Sequence, residues 1–176
     1  MYSSTLAAPS GTTRQATTPS RFRQAAMPRL WLNAGAPLLL ALAVQALMYA
    51  LTGEHPGPAQ DGLPFAPAPW LSLLASAALF PMWGVARWKA WSSGGEGRRQ
   101  SRWVVALVAW GLLHLVLVAN AGAYATSFLN LASLLVVTTA TWHVAKASTE
   151  AAWWLTPSVL WTLYTSFVGF AALALQ

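Results

Sequence analysis

The sequence predicts an all-α integral membrane protein, a bundle of five transmembrane helices with its N-terminus in the cytoplasm. Three observations predict it: an apolar composition, five long runs almost free of charge, and basic residues that all fall on one side of those runs. Of the 176 residues 56% are hydrophobic and only 8% charged, and the mean hydropathy is +0.48. A water-soluble domain does not carry so little charge.

Residues 1–29 are rich in Ser, Thr, Pro, Ala and Gln and hold Arg14, Arg21, Arg23 and Arg29 with no acid. That is the composition of a disordered basic tail. Met27 stands directly before the first apolar run and is an alternative start. The membrane domain is expected over residues 30–176. Its first span, Leu30–Leu51, has no charged residue and reaches about 33 Å at 1.5 Å per residue, enough to cross the hydrocarbon core. Thr52–Pro69 is dense in Pro and Gly, so it reads as an ordered external loop.

A second span over about 70–90 contains Pro81 and is expected to bend there, its freed carbonyl served by a neighbouring helix. The segment SSGGEGRRQSR that follows reads as flexible and basic. A third span at 103–124 and a fourth at 128–146 are separated by so few residues that they should form an antiparallel hairpin. The fifth, at 151–175, begins with Trp153 and Trp154 at the interface and has Pro157 in its first turns, where a missing N–H costs little.

All ten basic residues lie in the tail, between Arg87 and Arg102, or at Lys146, on one side of these spans. Glu54 and Asp61 lie in the opposite loop, and the positive-inside rule therefore makes the basic side cytoplasmic. Charge used in this way leaves no basic stripe for nucleic acid.

Chemistry is sparsely provided for. There is no cysteine, and four acids and three histidines complete the set, without H-E-x-x-H, G-x-S-x-G or a phosphate-binding glycine loop. No catalytic residue and no metal site is assigned, no cofactor is required, and an enzyme acting on a lipid or tetrapyrrole would rest on His114 and Asp61 alone. On a helical wheel Trp103, Leu107, Trp110, His114 and Leu117 share one face. His114 then either hydrogen-bonds across to Thr138, Thr139 or a backbone carbonyl, or contacts a ligand, haem iron included.

The eleven tryptophans are the stronger signal. Most lie near span ends, where an indole anchors at the interface. Trp83, Trp110, Trp142 and Trp161 are deeper, and with Ser158, Thr165 and Gly169 beside Trp161 they suit a flat, mostly apolar ligand such as a tetrapyrrole or sterol. Packing between helices explains the same rings without a ligand.

The order of features resembles the translocator protein (TspO/MBR) family of tryptophan-rich sensory proteins. LPFAPAPW from Leu63 to Trp70 leads into a second helix ending with Gly84, Ala86, Trp88 and Trp91, and the last helix has Pro157, Trp161 and Tyr164. Ser158 stands where the family has an aromatic residue, His114 where it has a glutamine, and Gly169 where it has an asparagine, so this is a divergent member. The resemblance implies a five-helix bundle in a bacterial membrane, surrounded by lipid, with a porphyrin or related hydrophobic ligand under the first loop, and a homodimer. It places Phe65 and Trp70 at the lid, Phe80 and Trp83 on the second helix, and Trp161 with Thr165 on the fifth; Trp110, His114 and Trp142 join them from the wheel. Thr165 fills a position that is small in the family. The alternative is a structural or assembly subunit of a larger membrane complex, with Gly111, Ala119 and Ala123 allowing close helix approach.

Overall fold

The computed structural model describes residues 21–53 and 67–175. Its elements are α1 (Arg21–Thr52), α2 (Pro69–Ser92), α3 (Gly95–Ala119), α4 (Ala123–Ala145), the single turn α5 (Thr149–Trp153) and α6 (Thr156–Ala174). No strand occurs among the described residues. Four segments are long and apolar enough to cross a bilayer: Arg29–Leu51, Gly95–Ala119, Ala123–Ala145 and Thr149–Ala174. The second helix, expected as a fifth span, has 24 residues but is not among those four.

Contacts at the helix ends show that the helices alternate in direction. Arg87, near the end of α2, donates from Nη1 to Asn33 Oδ1 of α1 at 2.7 Å. Lys89 pairs with Glu150 of α5 at 2.6 Å. Trp103 at the start of α3 stacks on His143 at the end of α4, centroids 4.2 Å apart. At the other end Phe128 of α4 meets Phe170 of α6 edge to face at 6.0 Å. Arg29, Arg87, Lys89, Arg98, Arg99, Arg102 and Lys146 therefore share one end of the bundle, as their positions along the chain suggest.

Several boundaries differ from the sequence expectation. Helix α1 begins at Arg21 rather than Leu30, so residues 21–29, expected in the tail, are helical. The basic segment after α2 is not a free linker, since α3 starts at Gly95 and takes Arg98, Arg99 and Arg102 into its first turns. Gln100 donates to Glu96 one turn back at 2.5 Å, an i, i+4 pair that holds this solvent-side extension helical. The hairpin turn between α3 and α4 sits at 120–122, five residues earlier than the expected 125–127, where the Asn120 N–H closes on the carbonyls of Leu117 and Val118. Helix α2 keeps Pro81, where a bend was expected, inside one continuous helix.

The last span does break. Trp154 and Leu155 make i→i−3 bonds to the carbonyls of Ala151 and Ala152, and Pro157 has no N–H to return to Trp153, so α5 ends and α6 restarts at Thr156.

Prolines and glycines also set how closely α1 packs. Pro37 cannot donate to the carbonyl of Asn33, four residues before it. Gly84 of α2 lies against that carbonyl, and a Cβ there would collide with the Asn33 C and O atoms. Only glycine lets the two backbones meet.

Gly84→Ala should therefore lower the thermal unfolding temperature in detergent by the equivalent of about 1–3 kcal/mol. Gly35→Ala, in α1 with nothing within 4 Å of the new methyl, should be neutral or stabilising because alanine favours a helix. Equal behaviour of the two variants would refute the contact.

Candidate ligand-binding site

The interior is built on Trp83. Its ring is 7% exposed and lies against Gly111 of α3, where an added Cβ would come within 2.6 Å of Cζ3. Phe80, one turn earlier on α2, packs beside it with centroids 4.7 Å apart. The indole N–H donates to Ser158 Oγ of α6 at 2.5 Å. Ser158 is fully buried and follows the α5–α6 break directly, so the break delivers the acceptor that the indole needs.

A second polar layer joins α3, α4 and α6. Asn130 Nδ2 donates to the carbonyl of Thr165 at 3.3 Å. Its Oδ1 faces His114 Nε2, also at 3.3 Å. Because the amide nitrogen is committed to a carbonyl, Oδ1 must accept, and the histidine proton lies on Nε2. Trp110 adds a third cross-link, its N–H donating to Ser133 Oγ of α4 at 2.8 Å.

The helices come close enough for these bonds partly through Gly169, where a Cβ would come within 2.8 Å of Ser127 Oγ. The amide that reaches the last helix comes from α4.

The structure brings Phe80, Trp83, His114 and Thr165 into this interior, and Trp161 packs, partly buried, on the same core with Tyr164 at 5.8 Å. Trp110 is half-buried and turned to α4. Trp70, at the start of α2, is 65% exposed, and Phe65 lies outside the described residues.

Trp142 is a correction. It is 65% exposed, with the Lys146 ammonium 5.2 Å over its ring. Depth along the span does not fix the face: on α4 the buried positions are 126, 127, 130, 133, 137, 140 and 144, whereas Phe128, Leu131, Leu135 and Trp142 point outward. Thr138 and Thr139 share the outward side, so the partner of His114 is Asn130 and not either threonine. Asn130 and Ser133 were missed by sequence reasoning, although both recur at helical spacing on the face that carries Val137.

Helices of this length and polarity, with polar side chains paired across an aromatic interior, define an integral membrane protein of the helical-bundle class. The TspO/MBR family model matches residues 35–175, and the chain belongs to that family. Comparison with curated proteins found no match.

The Trp83–Ser158 bond gives a direct test. A double-mutant cycle of Trp83→Phe and Ser158→Ala, read by unfolding in detergent, should return a coupling of about 1 kcal/mol, within the range of interhelical bonds in membranes. A coupling near zero would mean that packing alone holds α2 to α6.

Proposed function

We propose that this chain binds a hydrophobic, flat ligand, a tetrapyrrole or a sterol, among the aromatic residues of α2, α3 and α6, for sensing or transport and without catalytic turnover. The observation that carries this reading is the Trp83 layer. Phe80 and Trp83 meet Gly111 and Ser158 in a chain of the TspO/MBR family, and aromatic faces with a few hydroxyls favour a flat apolar partner by stacking and burial. The shared basic end supports a cytoplasmic N-terminus.

The reading as an assembly subunit loses one of its supports. Gly111, offered by the sequence as a surface for an outside helix, is occupied by Trp83.

Titration of the purified protein in detergent with protoporphyrin should quench tryptophan emission saturably at about micromolar ligand. Trp161→Ala should weaken the apparent affinity about tenfold by removing a stacking face. Linear quenching without saturation, in the parent as in the variant, would sink the proposal.

A further inference from the structure

A crevice of about 300 Å³ opens on the outside of the bundle between α1, α2 and α3. It is separate from the layer between α3, α4 and α6. Leu32, Pro37 and Leu40 of α1 and Val105 and Val108 of α3 form its apolar walls, and Trp83 closes its inner side. Leu32 and Leu40 are themselves 69% and 52% exposed, so in a bilayer the crevice faces acyl chains.

One end of the crevice is different. Arg87 and Asn33 line it there, and their side chains are joined through Arg87 Nη1, while Asn33 Nδ2 is committed to the Arg29 carbonyl at 2.6 Å. Arg87 Nε is the one buried side-chain polar atom without a hydrogen-bond partner among the described residues. A guanidinium that lines the end of an apolar slot carries more donors than its one bond to Asn33 uses, and can take an oxyanion. Among the described residues no acid pairs with Arg87, and the salt bridge at this end joins Lys89 to Glu150. Arg29 stands one turn before Asn33 in α1, and Arg102 one turn before Val105 in α3, so the polar end opens at the basic end of the bundle.

We infer that this crevice is a binding site for an anionic phospholipid, its phosphate held by Arg87 and one acyl chain lying along Leu32, Pro37 and Leu40. Charge decides the class. A zwitterionic headgroup brings a cation among Arg29, Arg87 and Arg102, whereas an anionic one brings only charge that these residues attract. The length of the apolar walls decides for a lipid rather than a free phosphate. The site lies at the end of α2 where a long basic side chain reaches headgroup depth.

The test is native mass spectrometry of the full chain in a non-ionic detergent, titrated separately with phosphatidylglycerol, phosphatidylcholine and laurate. Phosphatidylglycerol should bind about tenfold more tightly than phosphatidylcholine. Arg87→Gln should abolish that preference, and Arg98→Gln, on the exposed part of α3, should keep it. Ala36→Phe places a ring in the slot and should weaken both lipids while leaving the protoporphyrin titration unchanged, which separates this site from the interior one. Equal binding of the two lipids, or a preference that survives Arg87→Gln, would overturn the proposal. Tighter binding of laurate than of phosphatidylglycerol would overturn it in favour of a free fatty acid.

Discussion

The bundle depends on where one indole N–H finds an acceptor. In a hydrocarbon solvent a buried donor without a partner is costly, and Trp83 has no water to turn to. Its bond to Ser158 therefore fixes α2 against α6. The ring that makes the bond needs space, which Gly111 provides on α3. The acceptor needs to sit at that depth, which the Pro157 break provides. On the next residue, Gly84 lets α1 come down onto α2. Four helices are thus located by one side chain and the small residues around it.

Most of the hydroxyls do something more local. Ser76, Thr141, Thr162 and Ser166 each donate to the carbonyl four residues back in their own helix, which satisfies them without a neighbour. The cross-links between helices come from fewer residues: Ser133, Ser158 and Asn130 in the interior and Asn33 at the basic end. This division matters because interhelical bonds in membranes are individually weak. Specificity of packing comes from which few polar groups lack a local partner, combined with close approach at Gly84, Gly111 and Gly169. The Lys89–Glu150 pair is largely exposed on the glutamate side and adds little to this.

The helical class, the approximate spans and the single basic end were legible in the sequence because they rest on hydropathy and charge, which act along the chain. Faces were less legible. Trp142 was placed inside by its depth, but α4 turns it out beside Leu135 and Phe128, and the apolar outer face of a membrane helix gives no polar signal to mark it. The same blindness hid Asn130 and Ser133, whose value lies in partners on α3 and α6. The third helix was shortened at its start because GEGRRQS has the composition of a linker, yet Glu96 and Gln100 pair and Gly97 packs against the carbonyl of Ala90. Local pairing and tertiary contact overrode weak propensity.

Trp83 is also the wall shared by the interior layer and the outer crevice. One side of the ring rests on Gly111 and Phe80, and the residue lines the slot between α1 and α3. Helix α1 forms the other wall of that slot, and among the four apolar segments it is the least buried. Its grip on α2 runs through Gly84 against the Asn33 carbonyl and Arg87 on the Asn33 amide. Asn33 therefore meets α2 twice, by backbone and by side chain. A shift of α1 at this point changes the width of the crevice, while the Trp83 ring keeps its support on Gly111 and Ser158.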